Sequence, residues 1–181
     1  MENEESETND DQIVEYVNSS QLEYIGFTNV TDSMVKELNE TLAKYNIASK
    51  EQIAHFLSQC YVESDIWRVE IDWAKDNYAH IIGGPDYRGA GAIHISHKYT
   101  YDDFFEYIGV DINEIGVAPY IYVDENYYWE SAGWYWSIFK GINGIINSDT
   151  TVEEVTRIVN GGDGGLNDRK AAYERAMEVI D

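Results

Sequence analysis

The sequence predicts a mainly α-helical domain with one small β element. Three observations carry this. Apolar residues recur at helical spacing through much of the chain. Two Ser/Thr capping boxes, Ser49 with Gln52 and Thr151 with Glu154, mark helix starts. Residues 83–97 break the helical pattern with Gly83, Gly84, Pro85, Gly89 and Gly91, then alternate through Ile93 and Ile95. With 181 residues, 44% of them hydrophobic, the chain is long enough and apolar enough for one packed core.

The elements follow in order. Thr31 before Asp32 is a helix cap, and Val30 and Val35 are spaced as a hydrophobic staple. Met34, Val35, Leu38, Leu42 and Tyr45 then form one apolar face. Behind the Ser49 capping box, Ile53, Phe56, Leu57 and Cys60 mark the buried face of a second helix. A loop and a short strand are expected over 83–97, and a helix over 101–108. Trp129 to Phe139 reads as an aromatic-rich central helix, in which Trp129, Trp134 and Trp136 serve the core with Tyr127, Tyr128 and Tyr135, leaving one or two rings for a cleft. A further helix starts at Thr151, runs through Val155, Ile158 and Val159, and stops at Gly161-Gly162. Asn167 begins the last one.

Charge narrows the function. The chain carries 34 acidic and 12 basic residues, a net charge of −22. Residues 1–15 hold seven of the acids and no Lys or Arg, and are expected to be a disordered acidic tail ahead of a single domain over 16–181. Phosphate neutralisation is excluded by the charge sign, so no nucleic-acid partner is expected. No apolar run approaches the roughly 20 residues that span a bilayer, and no membrane role is expected. The acidic surface suits solubility, or a basic protein partner. The first residues lack the basic-then-apolar pattern of a secretory signal, which fits cytoplasmic synthesis with later release to a wall or the exterior. Cys60 is the only cysteine, so no internal disulfide forms.

Glu63 stands out among the carboxylates. It follows Phe56 by seven residues and Cys60 by three, which puts it on the apolar face near a helix C-terminus. Lost hydration and the partial negative charge of the helix end both disfavour its ionised form, as a general acid requires. The other reading of the same spacing is a frayed, solvated helix end. Asp65, Glu70 and Asp72 follow closely and are candidates for a second carboxylate. A strand over 93–96 puts His94 and Ser96 on one face, beside the tyrosines Tyr87, Tyr99 and Tyr101. Imidazole, hydroxyl and aromatic groups together suit a sugar, whose ring has apolar faces and a polar rim. His94 and His97 lack a third ligand at a sensible spacing, so neither metal nor cofactor is expected.

Four blocks, in order, resemble family 19 glycoside hydrolases, especially the compact lysozyme-like forms of clostridial and phage cell-wall enzymes. Ala54 to Ser64 is similar to the catalytic helix of that family. Tyr87 to Tyr101 is similar to its Tyr-Arg-Gly-x-Gly-x-Ile-Gln-Leu-Ser/Thr strand. Ser131-Ala132-Gly133-Trp134-Tyr135-Trp136 resembles its Ser-Ala-x-Trp-x-Trp helix. Thr156 to Gly162, followed by Gly165 to Arg169, resembles its Asn-Gly-Gly block. Together they cover roughly residues 20–181. The resemblance implies a lysozyme-like helical domain whose β element lines a cleft. It implies inverting hydrolysis of a β-1,4-linked N-acetylglucosamine polymer, peptidoglycan glycan or chitin. Glu63 is then the acid, Glu70 the water-activating carboxylate, and Ser96 the hydroxyl that holds the water. Tyr87, His94, Tyr99, Thr100, Asn160 and Arg169 fall at substrate-side or site-ordering positions. The chain departs from the family pattern at Val62 (His in the family), His94 (Gln) and Thr100 (Asn), and in the shortened link Asp65-Ile66-Trp67. The resemblance therefore leaves two function classes open: an active glycosidase, and a relative that binds glycan or a protein without turnover.

Overall fold

Helices α1 (Ser19–Ile25), α2 (Asp32–Lys44) and α3 (Lys50–Tyr61) open the fold, and α3 runs directly into a π-helical turn, Val62–Ile66. After a 3-10 turn at Pro85–Tyr87 come α4 (Lys98–Ile108), α5 (Pro119–Asn126) and α6 (Tyr128–Trp134). The last of these passes into a second π-helical turn, Tyr135–Phe139. A 3-10 turn, Ile142–Gly144, leads to α7 (Val152–Asn160) and α8 (Leu166–Val179). The computed structural model describes residues 14–66 and 78–181, with the backbone alone at 65 and 66. Residues 1–13 of the expected acidic tail lie outside the described residues. The described chain is mainly helical with almost no strand, the fold class the sequence predicts.

Local chemistry explains most boundaries. The Thr31 hydroxyl accepts the Met34 N–H at 3.2 Å and starts α2. Reciprocal capping boxes start α3 at Ser49 and α7 at Thr151. Gly161, at φ +78°, ends α7 in the left-handed region. A third capping box, Asn18 with Gln21, starts α1. Seven residues are too few for that helix to show a period.

One hydrophobic core joins Val17 near the start to Ile180 at the end. Helix α3 is its axis: every side chain from Ile53 to Cys60 is buried. It packs chiefly on α8, which also touches α1 and α7. Trp129 and Trp136 are fully buried, and Phe56 meets Trp136 edge-on at 5.5 Å. Helix α2 meets α6 at Gly133, where a Cβ would stand 2.6 Å from Thr41 Cγ2 and closer still to the Tyr45 ring. Buried Asn39 ties the chain before α1 onto α2. Its side-chain oxygen accepts the N–H groups of Tyr16 and Val17 at 2.7 and 3.0 Å, and its amide donates to the carbonyls of Val17 and Val35 at 2.8 and 3.0 Å.

Two expectations need correction. Residues 93–96 form no strand. The β element is a single antiparallel bridge between Ala90 and Ile95, closed by hydrogen bonds of 3.1 and 2.9 Å around a turn over 91–94. The turn forms because His94 takes φ +53° and Gly91 φ +71°, which no strand allows. A Cβ at Gly91 would collide with the Ser131 hydroxyl and stand 3.0 Å from the Tyr128 carbonyl, so glycine is required there. Residues 129–139 are likewise not one α-helix, because the wider turn at Tyr135–Phe139 re-aims its last side chains.

Candidate active site

Glu63 lies in the π-helical turn that continues α3, and it is 8% exposed. A carboxylate buried to this degree needs a partner. The partner is Arg169 on α8, itself fully buried, whose Nη2 donates to Glu63 Oε1 at 2.5 Å. The rest of the guanidinium is also used. Its Nη1 donates to Gln59 Oε1 at 2.6 Å and to the Gln59 carbonyl at 3.5 Å, and its Nε donates to the Gly164 carbonyl at 3.2 Å. Gln59 in turn donates to the Thr156 hydroxyl at 3.3 Å, and that hydroxyl donates to the Val152 carbonyl at 2.7 Å. Residues of α3, α7 and α8 thereby form one buried polar network with Glu63 at its open end. The spacing in sequence anticipated the burial of Glu63. It did not foresee the facing cation.

Glu63 opens on a cavity of ≈ 360 Å³, within the size range of small-molecule sites. His94, Ser96, Tyr99, Thr100 and Asn160 also line it, so six of the residues singled out from sequence share one space. His94 and Ser96 reach it from the 91–94 turn and the residues after it, not from a strand. His94 Nδ1 stands 3.9 Å from Glu63 Oε2. Tyr99 stacks on His97 with centroids 5.5 Å apart and planes 9° apart. Asn160 sits in the last turn of α7, just before the Gly161 cap.

Two singled-out residues lie elsewhere. Tyr87 does not line the cavity; its ring meets Tyr101 edge-on at 5.6 Å, with Lys98 Nζ 5.6 Å from its centre. Arg169 stands behind Glu63, shielded from the cavity. Glu70 and Asp72 lie outside the described residues, as does the side chain of Asp65. The sequence reading missed Phe139 and Lys140, and did not single out Tyr135 or His97 as lining groups. The π-helical turn brings Tyr135 and Phe139 round to the cavity, and no α-helical period reveals it. Burial, with the nearby charge of Glu63, pushes the Tyr135 hydroxyl up to about 12. Lys140 lies exposed at the rim, 5.5 Å from the ring centres of both Tyr135 and Phe139.

The turn that carries His94 is itself docked. Gly91 N–H donates to Asp124 Oδ1 at 2.8 Å, and Ala92 N–H donates to the Tyr128 carbonyl at 2.9 Å. The four sequence blocks therefore meet in pairs. The first and fourth join through Gln59, Glu63, Thr156 and Arg169, and the second and third join where Gly91 meets Ser131.

No family model matches the sequence. The chain is similar to a curated protein of Haemophilus influenzae described as a glycosyl hydrolase family 19 domain-containing protein, with 33% identity over 112 residues. The match takes in 58% of this chain and 51% of that protein, so it spans about half the length of the relative. This distant likeness supports a glycoside-hydrolase kinship of the family 19 kind.

Proposed function

We propose that the protein is a glycosidase that cleaves β-1,4 bonds in peptidoglycan glycan or chitin by an inverting acid/base mechanism, with Glu63 as the acid. One observation carries this reading: a buried carboxyl, held through one oxygen by Arg169, faces a sugar-sized cavity with its other oxygen near His94. The hold fixes the direction of the acid, and proton transfer needs such positioning as well as a suitable acid strength.

Substrate enters with its ring faces against Tyr99, Tyr135 and Phe139, and its polar rim toward Ser96, Thr100 and Asn160. Glu63 protonates the glycosidic oxygen. A second carboxylate, Glu70 with Asp72 and Asp65 as the other candidates, activates water from the opposite face, and Ser96 helps to hold that water. Inversion asks for a separation of roughly 6.5–9.5 Å between the two carboxyl groups.

The test follows turbidity loss of purified peptidoglycan, and cleavage of chitin oligomers, by the parent and Glu63→Gln. The variant is expected to lose at least about 10²-fold in rate, and the first product of the parent should carry the inverted anomeric configuration. A Glu63→Gln protein that cleaves as fast as the parent removes Glu63 from the acid role. Retained configuration refutes inversion.

A further inference from the structure

The aromatic side of the cavity ends in a cation. Among the described residues that line it, Lys140 alone carries a permanent positive charge. We infer that Lys140 is a specificity-determining residue, whose ammonium receives a carboxylate carried by the glycan and so favours acidic peptidoglycan glycan over neutral chitin. The inference rests on the glycosidase reading and chooses between its two polymers.

The wide turn that brings Tyr135 and Phe139 to the cavity also places Lys140. The Lys140 N–H donates to the Tyr135 carbonyl at 2.9 Å and closes that turn. The two rings stack with centroids 5.5 Å apart and planes 27° apart. The ammonium stands 5.5 Å from each ring centre, within reach of a cation–π attraction. These are the rings offered to a sugar face, so the cation lies beside a sugar stacked there.

The charge of Lys140 is unspent. Lys36 pairs with Glu40, Lys44 with Glu130, Lys98 with Asp102 and Lys170 with Glu153. No carboxylate among the described residues pairs with Lys140, and the carboxylate of the cavity itself, Glu63, is held by Arg169. Lys140 is exposed, so its ammonium is open to a ligand. A cation at the rim of the cleft also offsets, locally, the repulsion that a net charge of −22 exerts on an anionic polymer.

The two polymers differ in the group this cation would meet. Chitin is a chain of uncharged N-acetylglucosamine. In peptidoglycan, alternate sugars bear a lactyl ether. Its carboxylate is free where the peptide has been removed. Where the peptide remains, that carboxyl is an amide and the free carboxylates lie on the peptide. Either source presents an anionic oxygen that accepts a charge-assisted hydrogen bond.

The experiment compares kcat/KM of the parent, Lys140→Met, Lys140→Glu and Lys140→Arg on soluble chains of equal length. The substrates are a chitin oligomer, peptidoglycan glycan stripped of peptide, and the same glycan with its peptides. Each acidic chain is used with its carboxylates free and with them converted to methyl amides; thermal melts check that the variants fold. The parent is expected to prefer a free chain to its amide by about three- to fivefold, as suits an exposed ion pair. Lys140→Met should erase that ratio whatever its rate on the amide, Lys140→Glu should invert it, and Lys140→Arg should keep it. A preference in the stripped pair places the carboxylate on the lactyl group, and one in the peptide-bearing pair alone places it on the peptide. A parent with no preference in either pair, or a ratio that survives Lys140→Met, overturns the inference and leaves Glu63 as the acid. A folded parent that cleaves none of the chains overturns the glycosidase reading and this inference with it.

Discussion

Glu63 and Arg169 form a pair in which each charge is tolerated because the other is present. Removing one leaves a buried, uncompensated charge, which typically costs about 3–5 kcal/mol. Arg169→Met should therefore unfold at clearly lower urea concentration than the parent. The double change Glu63→Gln with Arg169→Met should recover much of that loss, since both charges are then gone. If the double variant is as unstable as the single one, the guanidinium acts through Gln59 and Gly164 rather than through Glu63. Arg169→Lys separates charge from shape: a lysine keeps the cation but cannot serve Gln59, Gly164 and Glu63 together. The candidate acid was legible in sequence as a carboxylate spaced with Phe56 and Cys60. Its cation was visible only as part of a matched block, because 106 residues separate the pair.

At the scale of elements, tight helix contacts and two wide turns shape the site. Helix α6 packs on α2 and runs directly into the Tyr135–Phe139 turn. Gly133→Ala tests that contact against helix propensity, which alone favours alanine by about 1 kcal/mol. Overpacking against Thr41 and Tyr45 should reverse the sign, giving a net loss of roughly 1–3 kcal/mol in a thermal or denaturant melt. A stabilised Gly133→Ala would mean that the two helices can separate freely. Helix starts were legible because capping is chemistry between residues three apart. The π-helical turns were not, since winding to i+5 leaves no distinct period over five residues. Alternation of Ile93 and Ile95 predicts a strand over 93–96, although the same alternation occurs in a turn. The deciding fact, the space denied to a side chain at Gly91 by Ser131, belongs to another element.

For the whole molecule, acid should act through a residue remote from catalysis. His55 is fully buried on α3 and packs against the Tyr173 ring, with centroids 4.3 Å apart and planes tilted by 34°. Burial lowers its imidazole from 6.5 to about 4, only partly opposed by its contact with the Thr150 carbonyl. Above pH 6.5 neither the folded nor the unfolded chain carries this proton, and the contribution of His55 to stability is whole. As pH falls from 6.5 to about 4 the unfolded chain takes the proton first, so stability drops by up to about 1.4 kcal/mol per pH unit. Below about 4 both states are protonated and the loss is complete. His55→Phe should flatten the stability–pH curve across that window in urea melts. An identical slope in both proteins would place the acid sensitivity elsewhere. The chain by itself determined its helical class, its caps, the helix-ending glycine and the residues rich enough in chemistry to form a site, because each depends on neighbours a few positions apart. Tertiary structure alone decided that Arg169 backs Glu63, that Tyr87 serves the scaffold, and that Tyr135, Phe139 and Lys140 face the cavity. Those outcomes depend on which helices come into contact and at what turn, and such contacts are fixed by burial across the whole core rather than by spacing along the chain.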